Sequence, residues 1–121
     1  LEAAILPSSG TITPTGNWST TGSVLKKNGQ GLVILNFYAN ATGAVTSNIA
    51  TLPSGYRPID TSMDVITGVL LDASTGNMLP CAFAISTSGV VSKLNAMPSL
   101  TADVALANAD QVWFYASFWI S

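Results

Sequence analysis

The residues that could perform acid–base chemistry in this chain are its carboxylates, because the sequence of 121 residues contains no histidine. Without histidine, the commonest general base, the Ser–His nucleophile pair and the commonest metal ligand are all absent. A hydrolase would have to work with a carboxylate pair, as glycosidases do. Asp60 and Asp64 lie close together in "PIDTSMDV", but a solvated or capping role suits both. We therefore predict that the protein is not an enzyme. The six acids are Glu2, Asp60, Asp64, Asp72, Asp103 and Asp110.

Motifs for cofactors and metals are also absent from the sequence. There is no P-loop, dinucleotide fingerprint, EF-hand spacing or pair of cysteines. The single cysteine, Cys81, lies in an apolar run and is predicted to be a small buried hydrophobe. Asp and Asn oxygens could bind a hard cation, but no spacing demands one. We predict no cofactor and assign no metal site.

Charge is scarce and scattered along the chain. The net charge is −2, and the four cations are Lys26, Lys27, Arg57 and Lys93. They form no basic patch, so nucleic acid is not an expected partner.

Binding of a sugar is the chemistry that the remaining residues suit. Aromatic rings stack on the apolar faces of sugars, and Asn, Asp, Ser and Thr bond their hydroxyls. The aromatic residues that could stack on a sugar are Trp18, Tyr38, Tyr56, Trp113, Tyr115 and Trp119. For each of them, a place in the core or in an interface is the alternative. The predicted ligand-binding residues lie near predicted turns: Trp18, Tyr38, Asn40, Asp72 and Asn77.

A period of two predicts that strands position these residues. Asn28-Gly29 predicts a two-residue hairpin turn between strands near 22–27 and 30–39. "DVITGVLLDA" and "NMLPCAFAIS" predict a pair joined at 74–77, and a turn at 86–89 leads into "VVSKLNA". Residues 97–111 are the least strand-like and could hold a helical turn or a long loop, with Asp103 and Asp110 expected to cap turns or hold loop amides. The predicted fold is an all-β antiparallel sandwich or barrel.

The last strand, "QVWFYASFWIS", is apolar or aromatic on both faces. One face carries Val112, Phe114, Ala116, Phe118 and Ile120, and the residues between them form the other face. Because one face of a lone antiparallel sheet should be polar, the outer face needs a cover. Self-association explains this, and a closed barrel with aromatics along its outside is the alternative. The residues of this outer face are Trp113, Tyr115, Ser117 and Trp119.

Length and composition predict one domain with a substantial core. Hydrophobic residues make up 48% of the chain and charged residues 8%. The longest apolar runs are shorter than the roughly 20 residues of a membrane helix. The first residues, "LEAAILPSSG", do not resemble a signal peptide and look like the end of a preceding segment.

The segment "IATLPSGYRP", residues 49–58, is predicted to be a rigid bend and not a strand. Pro53 and Pro58 lack backbone donors, and Gly55 permits a tight turn. Tyr56 has an apolar body with a polar tip, and Arg57 can pair with a carboxylate or carbonyls. We predict a structural clasp in which Arg57 meets Asp60, Asp64 or an acid of a neighbouring protomer. Contact of Arg57 with ligand is the alternative.

The same segment resembles a Leu-Pro-x-Gly-Tyr-Arg-Pro motif in the C-terminal head domains of bacteriophage tail-fibre and baseplate receptor-binding proteins. "GNWS", "KKNGQGLVIL", "ISTSGVVS" and the aromatic last strand are similar too, so the resemblance covers most of residues 17–121.

The resemblance implies a homotrimeric β head at 17–121 on the virion, at the tail tip or baseplate, with 1–16 as the end of a neck or linker. It implies binding of host cell-envelope saccharides, such as cell-wall polysaccharide or teichoic acid, without catalysis or membrane insertion. The alternatives are a structural trimerisation cap of a tail fibre without ligand and a carboxylate-based polysaccharide depolymerase.

Overall fold

The computed structural model describes residues 7–59, 63–96 and 106–120, and within these ranges the chain is all-β with no helix. The strands form one antiparallel sheet in the order β1-β4-β5-β10-β7-β8-β9-β6-β2, and β3 pairs with β5 off this path. Their bounds are β1 (Ser8–Ser9), β2 (Thr13–Pro14), β3 (Trp18–Ser19), β4 (Val24–Lys27), β5 (Leu32–Ala41), β6 (Asn48–Thr51), β7 (Met63–Asp72), β8 (Asn77–Ile85), β9 (Val90–Ala96) and β10 (Gln111–Trp119).

The N-terminal segment curls the sheet into a half-barrel. Strand β1 is at one end of the sheet, where it pairs with β4, and β2 is at the other end, where it pairs with β6. Only residues 10–12 separate β1 from β2, and a chain spans at most about 3.6 Å per residue. The two ends of the sheet must therefore lie close together. The described part of the predicted neck or linker, residues 7–16, lies on the sheet, and the fold is a single curled sheet and not two stacked sheets.

Alternation along the central strands separates a core face from an outer face. In β10 the predicted inner residues Val112, Phe114, Ala116 and Phe118 are all buried, which confirms that part of the pattern. Phe114 stacks on Phe37 of β5 with ring centroids 4.9 Å apart. Cys81 is 2% exposed, as predicted for a small buried hydrophobe.

Gly68 allows β7 to pack closely against its neighbours. A Cβ at this position would lie 2.5 Å from the carbonyl oxygen of Trp113 and 2.7 Å from the Phe83 ring. Such approaches are too close for any side chain to fit without displacing backbone. The glycine therefore belongs to the packing of the sheet beneath the outer face of β10.

The hairpin turns lie near their predicted positions, but the Asn28-Gly29 turn has a different form. Gly31, and not Asn28 or Gly29, has the positive φ of 88°. The Asn28 side-chain oxygen accepts hydrogen bonds from the amides of Gln30 and Leu32 at 2.8 and 3.0 Å. The predicted two-residue turn is wrong, because this cap stabilises a three-residue loop with glycine in the last position.

The predicted strand pair and the strand that follows it are confirmed, and together they form a meander. Strands β7, β8 and β9 follow one another in the sheet, joined by turns at 73–76 and 86–89. The segment 49–58 is only partly as predicted, since its first three residues belong to β6. The two prolines come after this short strand, so they remove no donor from its ladder with β9.

Candidate functional site

The outer face of β5 and β10 carries a row of aromatic side chains. Trp113 lies opposite Tyr38 in the ladder, and Tyr115 lies opposite Asn36. On the other side of β10, Val69 of β7 pairs with Trp113. These residues share one face because side chains two apart in a strand point the same way. We call Asn36, Tyr38, Val69, Trp113 and Tyr115 the aromatic shelf.

The aromatic shelf is open to solvent and shaped by two tilted rings. The ring centroids of Tyr38 and Trp113 are 6.4 Å apart, and the ring planes meet at 37°. Both rings are half-buried, whereas Tyr115 is 57% exposed. An open groove of about 380 Å³ lies over these side chains, and Gly22 also lines it. The shelf therefore presents aromatic surface beside the hydrogen-bonding amide of Asn36.

A second groove adjoins the shelf and is lined by hydroxyl groups. Its volume is about 460 Å³, and it lies between residues 19–23, which we call the hydroxyl loop, and residues 10–12 with Pro14; Trp18 also lines it. Ser19, Thr20, Thr21 and Ser23 contribute hydroxyls to the loop. We call this the hydroxyl groove.

The hydroxyl loop is fixed against the shelf by a reciprocal pair of hydrogen bonds. The Ser23 hydroxyl donates to the carbonyl oxygen of Tyr38 and accepts from its amide, both at 2.8 Å. Gly22 turns beside the same tyrosine with a φ of 98°, and it lines both grooves. The shelf and the hydroxyl groove therefore meet at Gly22.

The lining of both grooves contains no charged side chain among the described residues. The Lys27 ammonium lies 4.6 Å from the ring centroid of Tyr56, and Arg57 Nε donates to a backbone carbonyl. Lys93 is buried, Lys27 and Arg57 are half-buried, and Lys26 is exposed. The site is therefore polar and aromatic but electrically neutral.

The structure places two of the predicted ligand-binding residues on this outer face. Tyr38 belongs to the shelf, and Asn40 lies two residues further along β5, opposite Gln111. Trp18 lines the hydroxyl groove, but it is 4% exposed, and its indole N–H donates to the carbonyl oxygen of Thr46 at 3.1 Å. Its ring is part of the core and exposes little surface for stacking.

Asp72 and Asn77 face each other across the β7–β8 hairpin, away from the aromatic rings of the shelf. The Asp72 carboxylate accepts hydrogen bonds from the hydroxyl and amide of Ser74, at 2.7 and 3.1 Å. The hydroxyl contact lowers the pKa of Asp72 below the usual 3.8. Asn77 is exposed. The immediate contacts of Asp72 are those of a turn cap.

Asp110 holds the loop that leads into β10. Its carboxylate is fully buried and accepts hydrogen bonds from the amides of Ala73 and Ala107, at 2.8 and 2.9 Å. The prediction that Asp110 holds loop amides is confirmed. Asp103, which was expected to do the same, lies outside the described residues.

The segment of the predicted clasp makes hydrogen bonds within itself and to distant parts of the chain. Arg57 Nε donates to the Leu52 carbonyl oxygen at 2.9 Å, and the Tyr56 hydroxyl bonds to Ser8. Lys27 Nζ donates to the carbonyl oxygen of Gly55 at 3.2 Å. Pro53 and Pro58 flank these contacts. Of the predicted carboxylate partners of Arg57, Asp60 and the side chain of Asp64 lie outside what the structure describes.

Sequence reasoning missed Asn36 and the hydroxyl loop as parts of the site. Asn36 could have been found, because alternation along "GLVILNFYA" puts it on the same face as Tyr38. Nothing in the sequence indicates that the hydroxyl loop belongs to the site, because residues 19–23 come close to Tyr38 only when β4 and β5 have paired. Trp113 and Tyr115 were named as aromatic residues that could stack on a sugar, and the ladder brings them beside Tyr38.

Other kinds of site find no support in the described ranges. Residues 7–59, 63–96 and 106–120 contain no cluster of three or more Cys, Asp or Glu residues that could hold a metal ion. Likewise, no helix in the described part of the chain is long and apolar enough to span a membrane. Neither protein-family models nor curated proteins give a match to this sequence.

Proposed function

We propose that this chain is a saccharide-binding β module and that the aromatic shelf is its binding site. The observation that carries the proposal is the pairing of Tyr38 and Trp113 on an open outer face, with Asn36 and Tyr115 as the next pair of the ladder on the same face. Sugars offer an apolar ring face to aromatics and hydroxyls to amides. The groove over the shelf also falls within the roughly 300–1,000 Å³ of ligand pockets.

The biological setting that we propose is the receptor-binding head of a bacteriophage tail fibre or baseplate. The resemblance of "IATLPSGYRP" and its neighbouring motifs to such heads supports this setting. In it, the module recognises host cell-envelope saccharides during adsorption and is part of the virion. It acts without catalysis, and the capping contacts of Asp72 and Asp110 favour structural roles for these two carboxylates.

We also propose that the head is a homotrimer. Large apolar side chains are exposed at positions outside the shelf, among them Ile59 at 57%, Met78 at 59% and Trp119 at 52%. Exposed apolar side chains mark an interaction site where they adjoin one another. The end of β10 at Trp119 has apolar neighbours, with Leu32 opposite it, and is the proposed contact between copies.

The same exposed side chains favour one alternative, a trimerisation cap that binds no ligand. The two functions separate experimentally, because a cap retains its assembly but recognises no glycan. A depolymerase would differ again, since incubation with envelope polysaccharide would release reducing ends.

The test compares Trp113→Ala with Trp119→Ala, two truncations of the same residue type on one strand face. Retention on immobilised envelope polysaccharides and the solution mass by light scattering are measured for both. Loss of a central stacking residue typically weakens binding by about 2 kcal/mol or more, which is roughly thirtyfold. We expect Trp113→Ala to lose binding with an unchanged mass, and Trp119→Ala to lose assembly while each chain keeps its affinity for the sugar.

Two outcomes would contradict the proposal. If the unmodified protein is retained on no envelope polysaccharide but has the mass of three chains, it is a cap. If Trp113→Ala binds as well as the unmodified protein, the ligand lies elsewhere. Measuring affinity with soluble fragments removes the contribution of multivalency to the comparison.

A further inference from the structure

The two grooves form one path across the surface. Gly22 lines both the aromatic shelf and the hydroxyl groove. A Cβ built on it would lie 3.7 Å from the ring of Tyr38, within ordinary contact distance. Because glycine has no side chain, the passage from the shelf to the hydroxyl groove carries only backbone at this point.

The two ends of this path offer different chemistry. The shelf offers aromatic rings, which suit the apolar face of a single sugar unit. The hydroxyl groove offers donors and acceptors on a short loop, and in the structure the Thr21 hydroxyl contacts only Ser19, at 3.3 Å. A ligand that extends from the rings would therefore meet mainly hydrogen-bonding groups, because the Trp18 ring that also lines this groove is 4% exposed.

The charge distribution limits which ligand can follow this path. An anionic polymer such as a polyol phosphate would need Lys or Arg contacts along its length. Neither groove supplies one, and Lys27, Arg57 and Lys93 are engaged or buried elsewhere. Lys26, on β4, is exposed but does not line either groove.

From this arrangement we infer that the ligand is an uncharged, extended oligosaccharide that stacks on the aromatic shelf and continues past Gly22 into the hydroxyl groove. The inference rests on the proposed function and names its substrate class. It separates neutral polysaccharides from phosphate-bearing ones, both of which occur as bacterial envelope polymers. It also makes the hydroxyl loop a determinant of chain-length preference.

The experiment uses the unmodified chain on a panel of immobilised bacterial envelope polysaccharides, each either neutral or bearing phosphate or uronate groups. The retained polysaccharide is then hydrolysed to fragments, which are separated by length and titrated by calorimetry. We expect retention on a neutral polymer, and an affinity for fragments of a few units about tenfold above that for the single sugar. Affinity should change by less than about twofold between about 50 and 500 mM NaCl, because no ion pair is made.

The matched variants are Thr21→Val and Thr87→Val. Both remove the hydroxyl of an exposed threonine with little change of shape, but Thr87 lies in the turn before β9, far from the hydroxyl loop in the chain, and does not line either groove. We expect Thr21→Val to weaken fragment binding by about threefold to tenfold and to leave the single sugar unaffected. Thr87→Val should bind both as the unmodified chain does.

The outcomes distinguish this inference from the proposed function. Retention only on anionic polymers, or an affinity that falls steeply with salt, would overturn the inference while leaving saccharide binding intact. The same holds if the single sugar binds as tightly as its fragments or if Thr21→Val has no effect. Retention on no polysaccharide at all would overturn the proposed function and this inference with it.

Discussion

We expect replacement of the buried Asp110 by alanine to lower the free energy of unfolding more than the same replacement of an exposed aspartate would. Its carboxylate bridges two loops by accepting the amides of Ala73 after β7 and of Ala107 before β10. The side chain is fully buried. Asp110→Ala removes both acceptors and leaves the two amides to find water.

The size of the loss follows from these contacts. Hydrogen bonds to charged groups contribute about 1.5–3 kcal/mol each, so two bonds set an upper range of roughly 3–6 kcal/mol. Ala73 and Ala107 are exposed, so water can replace part of the loss, and removal of the acid recovers its desolvation cost. We expect a decrease of about 2–3 kcal/mol in the free energy of unfolding, or roughly 8–15 °C in Tm for a domain of this size.

Thermal melts followed by circular dichroism at neutral pH measure the effect, with urea unfolding to check the slope. Asp110→Asn is the matched variant, because it keeps the shape and one acceptor oxygen but turns an NH₂ group toward an amide donor. It should lose a comparable amount. If Asp110→Ala melts within about 2 °C of the unmodified chain, the two bonds contribute little and the reasoning is refuted.

Three further predictions concern the sheet, the bend at 52–58 and the β7–β8 turn. Gly68→Ala would place a Cβ 2.5 Å from a backbone carbonyl oxygen, so we expect a loss of about 1–3 kcal/mol in urea unfolding; unchanged stability would mean that β7 can shift freely. Arg57→Ala removes the bond to Leu52 and should lower stability by about 1 kcal/mol, and an unaltered Tm would contradict a clasp. The bonds from Ser74 lower the pKa of Asp72 below the usual 3.8. The ionised Asp72 carboxylate therefore stabilises the folded chain above pH 3.8, and this stabilisation is lost as the pH falls through the lowered pKa. We expect the difference in Tm between the unmodified chain and Asp72→Asn to shrink between about pH 5 and pH 3. A difference that does not depend on pH would contradict this prediction.

Local sequence signals predicted the strands well because each signal acts within a few residues. The alternation in β10 required one face to be buried, and Val112 to Phe118 have that pattern. The glycine-containing turns at 73–76 and 86–89 ended β7 and β8 near their predicted bounds. Asn28-Gly29 was misjudged in detail, because the choice between turn types depended on a side-chain cap and on the conformation of Gly31.

The composition of the candidate site was only partly predictable. Tyr38 and Asn40 could be placed on one face of β5 by counting residues, and Asn36 follows from the same rule. Trp18 and Trp113 were both named from the sequence as aromatic residues that could stack on a sugar. Only the fold distinguishes them: the first closes the core with its N–H bonded to Thr46, whereas the second remains half-buried on the outer face.

What the sequence by itself determined is the all-β class, the alternating faces, the buried cysteine and the shortage of charge, since these depend on residue type and on neighbours along the chain. Tertiary structure decided which residues meet. Tyr38 and Trp113 are far apart in the chain and become neighbours through the β5–β10 ladder. The N-terminal segment reaches both ends of the sheet and curls it. Such long-range pairing depends on the combined packing of all strands, for which no local pattern provides a signal.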